Sequence, residues 1–256
     1  MLDCNQSISV IIPIINEEKF ILGAINVILE QFNFKRDFEI LISDGGSTDG
    51  TLEIISNIIL KNPNVHLIKN SQKIVSSGFN LALNKVNGEI IIRVDGHCEI
   101  AQNYIEKCYN LLKETDADIV GGVIETISSG LIGNAISIAQ SSWFGVGGVK
   151  FRSNNLEKPD YVDTLAFGAH KREIFKDIGG YDEEMVCNQD DEFNHRVLQA
   201  GKKIWMDPTI KTKYYARQSF IKLFKQYFNY GFYKIRGIQK RGEVFSIRHL
   251  IPSFFI

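Results

Sequence analysis

An α/β fold on a mostly parallel central sheet is the class this sequence predicts, and three observations predict it. Short apolar, β-branched runs recur at Ser9 to Ile15, Phe38 to Ser43, Val65 to Lys69 and Ile90 to Val94. Between them lie stretches with helical apolar spacing, and strand–helix alternation of this kind means parallel strands joined by right-handed crossovers. The run Ile90-Ile-Ile-Arg-Val94 reads as a strand buried on both faces, the habit of parallel sheets. A length of 256 residues fits one large domain, or one domain with an appendage.

Taken in order, the first strand is broken by Pro13 and followed by Asn16-Glu17-Glu18, a capping residue with acids behind it, which reads as a helix start. Phe20, Ile21, Ala24, Ile25, Ile28 and Phe32 then recur at helical spacing. The second strand runs into Asp44-Gly-Gly-Ser-Thr-Asp-Gly-Thr51, a loop of turn formers, and Leu52 to Leu60 continues as a helix. Gln72 to Val86 is a third helix, and the fourth strand stops at Asp95-Gly96-His97. A helix over Tyr104 to Lys113 and a strand over Ile119 to Ile124 follow. Ser128 to Gly148, rich in glycine and serine with Trp143 and Phe144 inside it, reads as a helix and then a mobile loop. Tyr161 to Gly168 is extended, and Lys171 to Ile178 is a short helix ended by Gly179-Gly180. Asp190 to Ala200 is a helix ended by Gly201, and Lys203 to Met206 and Ile210 to Ala216 are late strands. Phe220 to Ile235 is a helix with Phe220, Leu223, Phe224, Tyr227 and Phe228 on or near one face, expected to pack in part on the core. No repeat or low-complexity linker interrupts the chain.

Composition excludes several classes. Hydrophobic residues at 44% and charged residues at 23% are those of an ordinary globular protein. The N-terminus lacks a signal-peptide pattern, and no apolar run is long enough to cross a bilayer. Cys4, Cys98, Cys108 and Cys187 have neither metal-ligand nor disulfide spacing, so reduced thiols in a cytosolic compartment are expected. A formal net charge of −1 hides an asymmetry: from Lys211 to Arg248 there are ten Lys/Arg against the single acid Glu243. A basic end on an acidic body implies an anionic partner there. Nucleic acid is the least suitable, because no nucleic-acid motif occurs.

Three acidic clusters stand at strand ends or helix starts. In open α/β sheets ligands gather beyond the carboxyl ends of strands. Asp95 and His97, flanking a glycine, suit a divalent metal holding phosphates, or are two solvated groups at a turn. The Asp44 loop ends a strand and opens a helix, so it can present backbone amides to a nucleotide, or it is a plain turn. It has neither the Gly-x-Gly-x-x-Gly spacing nor a following Gly-Lys-Ser/Thr. Gln189-Asp190-Asp191-Glu192 either complements a helix dipole or supplies a general base.

Taken together, these clusters closely resemble the family 2 glycosyltransferases of the GT-A fold over nearly the whole chain. Ser9-Val-Ile-Ile-Pro-Ile-Ile-Asn-Glu17 looks like that family's opening strand and nucleotide-binding turn. Ser43-Asp-Gly-Gly-Ser-Thr-Asp-Gly-Thr51 resembles its Asp-Gly-Ser-x-Asp-Gly-Thr signature, and Asn80, Ala82 and Gly88 fall as in its following helix. Asp95-Gly-His97 sits where the family has Asp-x-Asp, Gly179-Gly-Tyr-Asp-Glu183 resembles its acceptor loop, and Gln189-Asp190 with Arg196 and Gly201 resembles its catalytic helix. Gln226-Tyr-Phe-Asn-Tyr-Gly231 resembles its Gln-x-x-Arg-Trp element. His97, Gln189 and Tyr230-Gly231 depart from the general pattern, and the departures resemble the succinoglycan-type branch that assembles exopolysaccharides.

The resemblance implies a Rossmann-like, mostly parallel sheet flanked by helices, with a C-terminal basic amphipathic helical segment. It divides the chain into a GT-A domain over 1–218, with a nucleotide-sugar half over 1–100 and an acceptor half over 101–218, and a helical segment over 219–256 expected to be membrane-proximal. The implied reaction is an inverting transfer, of a hexose by expectation, from a nucleoside diphosphate sugar, expected to be a UDP-sugar, to a glycan or lipid-linked acceptor. Asp190 is implied as the base, with Asp191 as the neighbouring candidate. Pro13, Asn16, Glu17, Asp44, Ser47, Asn80 and Asp95 are implied at the nucleotide, Asp95 and His97 at Mn²⁺ or Mg²⁺, and Asp182, Glu183 and Gln226 on the acceptor side. A nucleotidyltransferase would show a glycine-rich, basic loop near the N-terminus, which is absent. A non-catalytic nucleotide-sugar-binding partner of a polysaccharide machine would keep Asp44 and lose the base. In the resembling enzymes hydrophobic membrane segments follow the apolar stretch His249 to Ile256, so the expectation is a cytoplasmic domain peripheral to the inner face of the membrane, on an anionic leaflet, from a longer natural chain.

Overall fold

A computed structural model describes residues 7–32, 37–128, 130–141, 150–152, 158–215 and 219–242. Cys4, the Trp143 and Phe144 loop and the 249–256 stretch lie outside the described residues. One sheet organises the molecule, with strand order β3-β2-β1-β4-β8-β6-β9-β5 and β7 pairing with β9. The strands are β1 (Ile8–Ile14), β2 (Phe38–Asp44), β3 (Val65–Lys69), β4 (Ile90–Arg93), β5 (Cys98–Ile100), β6 (Ile119–Ile127), β7 (Asp160–Tyr161), β8 (Gly168–Lys171) and β9 (Ile204–Tyr215). The helices, in chain order, are α1 (Ile21–Gln31), α2 (Thr51–Ile59), α3 (Val75–Leu83), α4 (Tyr104–Glu114), α5 (Gly130–Ser141), α6 (Arg172–Ile178), α7 (Gln189–Gln199) and α8 (Phe220–Arg241).

The first four strands pair in parallel, β1 lying between β2 and β4. Side-chain alternation splits their apolar residues between two cores. Val10, Ile12, Ile40, Ile42, Ile90 and Ile92 pack with α1 and α4 on one face. Ile11, Leu41 and Ile91 pack with α3, α6 and α7 on the other. That is why Ile90 to Ile92 is an unbroken apolar run: both faces are covered. Fully burying each such side chain contributes roughly 1.5–3 kcal/mol.

Beyond β4 the sheet is mixed. β8 runs antiparallel to β4 and to β6, and β9 lies parallel to β6 and antiparallel to β5 and β7. The two late strands expected from the sequence are one continuous β9. A register shift between Gly121 and Val123 absorbs the mismatch with β6. Gly122 occupies it, and a side chain there would collide with the Ile210 carbonyl.

The C-terminal helix departs from expectation. Phe220, Phe224 and Phe228 are 60%, 70% and 64% exposed, so that aromatic row does not pack on the core. Leu223, Gln226, Tyr230 and Tyr233 are the more enclosed positions. With apolar residues on both sides of α8, periodicity could not tell which side meets the body. No described helix is long and apolar enough to cross a membrane.

Candidate active site

The carboxyl ends of β1, β2 and β4 converge on one region. Asp44, buried at the end of β2, accepts hydrogen bonds from the Gly46 N–H (2.9 Å), the Ser47 N–H (3.1 Å) and the Ser47 hydroxyl (2.5 Å). About four lone-pair sites on a carboxylate leave capacity for a further donor. Asn16, expected as a helix cap, is instead in the left-handed region at φ 55°. Its N–H donates to the Ser47 hydroxyl (2.9 Å), and its Oδ1 accepts the Thr48 N–H (2.8 Å). The Glu17 N–H donates to the Thr51 hydroxyl, and that of Glu18 to Asp49. The Thr51 hydroxyl, ahead of the Thr51 and Glu18 backbone N–H groups, holds Asp49 below the usual carboxylate range. The turn after β1 is thus sewn to the 44–51 loop, and α1 begins only at Ile21. Pro13, without an N–H, lies opposite Ser43 near the end of β1.

The turn between β4 and β5 joins this region through His97, whose Nδ1 lies 2.8 Å from Glu17 Oε1. Asp95, His97 and Cys98 each offer one ligand atom, all within 4.8 Å of one another. Burial pushes the Cys98 thiol well above its ordinary range, which makes it the least available ligand of the three. A carboxylate and an imidazole remain, a donor set that suits Mn²⁺ or Mg²⁺. With Nδ1 turned to Glu17, a metal held here would meet the ring at its other nitrogen, with a carboxylate behind the histidine.

Sequence reasoning missed Arg93. Its guanidinium is 4% exposed and donates to Asp95 Oδ1 from Nε (3.1 Å) and Nη2 (3.0 Å). It lies 5.8 Å from the Phe167 ring centroid and 5.5 Å from that of Tyr181. Burial works against its charge, but Asp95, Tyr181 and Asp190 together hold its pKa above the ordinary value. The available signal was one cation inside an isoleucine run. Its use rests on Tyr181 and Asp190, far along the chain.

α7 carries the candidate bases. Asp190 is pushed up to about 6, by burial first and by Asp191 second, with Arg93 opposing. Asp191 has other engagements: it accepts from the Thr164 hydroxyl (2.9 Å) and faces Lys234 at 3.6 Å. Gln189 is buried beside them. Arg196 donates to the carbonyls of Ile178 and Gly180 and pairs with buried Glu192, fastening the Gly179-to-Glu183 loop to α7.

The acceptor-loop residues have specific placements. Asn80, expected at the nucleotide, donates to the Tyr181 carbonyl (2.8 Å), accepts the Tyr181 N–H (2.9 Å) and reaches Glu183 (3.0 Å). Gly180 has no room for a side chain, which would collide with Asn80 Oδ1. Asp182 pairs with Lys240 (2.8 Å) and Arg241 (3.4 Å), which hold it below the usual carboxylate range against the effect of burial. Gln226 donates to the Tyr230 hydroxyl at 2.8 Å. The structure thus brings Asn16, Glu17, Asp44, Ser47 and His97 together, pairs Asp95 with Arg93 within electrostatic reach of Asp190, and gathers Asn80, Asp182 and Glu183 at the loop.

Such a sheet, with acids and a nucleotide-type loop at its strand ends, defines an α/β group-transfer enzyme of the GT-A glycosyltransferase class. The chain belongs to glycosyl transferase family 2, whose family model matches residues 9–179. It is 30% identical to the succinoglycan biosynthesis protein ExoA of Rhizobium meliloti (strain 1021), covering 95% of this chain and 73% of that protein. It is also 30% identical to a dolichyl N-acetyl-alpha-D-glucosaminyl phosphate 3-beta-D-2,3-diacetamido-2,3-dideoxy-beta-D-glucuronosyltransferase of Methanococcus voltae, covering 97% and 78%. Similar folds occur in S. aureus TarS 1-349 in complex with UDP (TM-score 0.63, 19% identity, 82% of this chain and 60% of that one). GalNAc-T7 with UDP, GalNAc and Mn²⁺ is similar too (TM-score 0.66, 18% identity, 84% and 45%).

Proposed function

We propose that the chain is an inverting, divalent-metal-dependent glycosyltransferase. It moves a sugar, a hexose by this reading, from a UDP-sugar to a lipid-linked glycan hydroxyl in cell-surface polysaccharide synthesis. The observation that carries this reading is buried Arg93, which is hydrogen-bonded to the donor-side carboxylate Asp95 and near enough to the proton-accepting carboxylate Asp190 for their charges to act on each other. The names of the relatives support the substrate classes: one acts on a dolichyl-phosphate-linked sugar, one in succinoglycan biosynthesis, and two similar folds hold UDP.

In this reading residues 1–100 bind the donor, 101–218 the acceptor, and 219–256 lie beside an anionic membrane surface on the cytoplasmic side. The Asp44 loop, with Pro13, Asn16, Glu17 and Ser47, holds the nucleoside. Asp95 and His97 hold the Mn²⁺ or Mg²⁺, which when bound supplies positive charge to the diphosphate. Asp190 takes the proton of the acceptor hydroxyl as its oxygen bonds to the anomeric carbon and the bond to the nucleoside diphosphate breaks. Asp182 and Glu183 shape the acceptor side, where Asn80 fixes the loop, and Gln226 closes the site from α8.

The test is nucleoside diphosphate release from a panel of donor sugars, with and without polyprenyl-phosphate-linked glycans, and mass spectrometry of the product. Release that depends on acceptor and on Asp190, with an inverted anomeric centre in the product, is expected. Donor binding without any transfer across the panel would leave a non-catalytic nucleotide-sugar-binding partner in its place.

A further inference from the structure

We propose that α8 is a two-sided helix that couples docking on an anionic lipid surface to the state of the catalytic helix α7. The proposal rests on the glycosyltransferase reading and adds a regulatory role for the same site.

The outer side is an apolar row that the described residues leave uncovered. Phe220, Ile221, Phe224, Phe228, Phe232 and Ile235 are all exposed. At 100° per residue they fall within one third of the helix circumference. Lys225 and Arg236, both exposed, border that row. The 22 residues of α8 include no Asp or Glu. A helix that is apolar outward, flanked by cations, free of acids and unable to span a bilayer suits the plane of an anionic leaflet. A second copy of the chain would bring the same unopposed cations against each other, which argues for lipid as the occupant.

The inner side turns three cations, Lys234, Lys240 and Arg241, to the active-site elements. Lys234 faces Asp191, Arg241 pairs with Glu192 at 2.6 Å, and the Asn188 amide donates to the Tyr230 carbonyl at 2.9 Å. Lys240 and Arg241 also hold Asp182, and Lys240 holds Glu184. The start of α7, its buried Glu192 and the acceptor loop therefore all rest on α8. A surface that orders α8 orders the residues around Asp190.

The experiment uses the full chain with vesicles of phosphatidylcholine, with or without phosphatidylglycerol. It reads co-sedimentation, amide exchange over residues 189–199, and turnover of a water-soluble acceptor, which vesicles cannot concentrate. Expected are binding to the anionic vesicles only, slower exchange in α7, and a rate increase of about tenfold, the size of a typical coupling. Phe224→Ser with Phe228→Ser should lose binding and both responses. Lys240→Gln with Arg241→Gln should still bind vesicles but lose the exchange response. Binding without slower exchange in the unmodified chain overturns the coupling. Absence of binding, with a concentration-dependent dimer that the phenylalanine variant abolishes, assigns the face to a second copy and overturns the proposal. The exchange readout needs no sugar transfer, so it can fail or succeed separately from the reading above.

Discussion

The two ends of this site, one proposed for the donor and one for the acceptor, are held by different physics. At the donor end, Asn16, Asp44, Ser47, Asp49 and Thr51 close a web of short hydrogen bonds between backbone N–H groups and small polar side chains. At the acceptor end, Arg196, Lys234, Lys240 and Arg241 reach from helices to acids on the loop and on α7. Several of those cations are half-exposed or exposed. Hydrogen bonds from backbone N–H groups to short side chains a few residues away hold one geometry, whereas partly exposed ion pairs between long side chains are weak singly and screened by salt. The donor site is therefore built in advance, and the acceptor site is adjustable.

The largest break in this contrast is at Asp190. Asp190→Asn should lower the rate by about 10² to 10⁴ while donor affinity, measured by calorimetry, stays unchanged. The same substitution should raise the melting temperature at pH 8. A carboxyl whose folded pKa lies above its unfolded value binds protons more tightly when folded, so its ionised form costs stability above about pH 6, relieved as pH falls. Removing the charge should return on the order of 2 kcal/mol. Activity runs the other way, falling below about pH 6 as the base is protonated. Asp191→Asn should shift that acid limb to lower pH by removing a like charge. Abolished transfer in Asp191→Asn with activity kept in Asp190→Asn would reverse the base assignment.

Gly180→Ala comes next. The new methyl displaces Asn80 from Tyr181, so the acceptor KM should rise by about tenfold, the worth of one or two hydrogen bonds, with donor affinity kept. An equal loss of donor affinity would show that the two ends are not separate. Asn16→Ala probes the other end and should weaken donor binding several-fold, on the order of 1 kcal/mol, without moving the acceptor KM. The smallest effect is that of salt. Raising NaCl towards 1 M, where the Debye length is about 3 Å, should raise the acceptor KM two- to threefold by screening the ion pairs made by α8.

The two ends were also unequally legible in the sequence. Ile90 to Ile92, the Asp44 loop and the strand–helix order carried the donor half, because parallel pairing and turn chemistry are local. Asn16 misled as a helix cap: its left-handed backbone and its bond to Thr48 depend on a loop more than thirty residues on. Arg93 gave only the signal of a cation in an apolar run, since the Phe167 and Tyr181 rings and Asp190 that surround it lie beyond Ile100 in the chain. The outward row of α8 was hidden for a similar reason, since spacing reveals a helical face but not its direction.

Strand β9 has a consequence for the order in which the molecule can be made. β1 to β4 form a contiguous parallel block from residues 8–93, which can pair as soon as it leaves the ribosome. β5 and β6 are synthesised next, yet in the sheet they stand on either side of β9, which ends at Tyr215. Until that last strand arrives, both wait with unsatisfied edges exposed to neighbouring chains. Nascent chains halted between Ile127 and Lys203 would therefore carry a paired first block and an aggregation-prone remainder, giving the translation machinery a physical reason not to pause there.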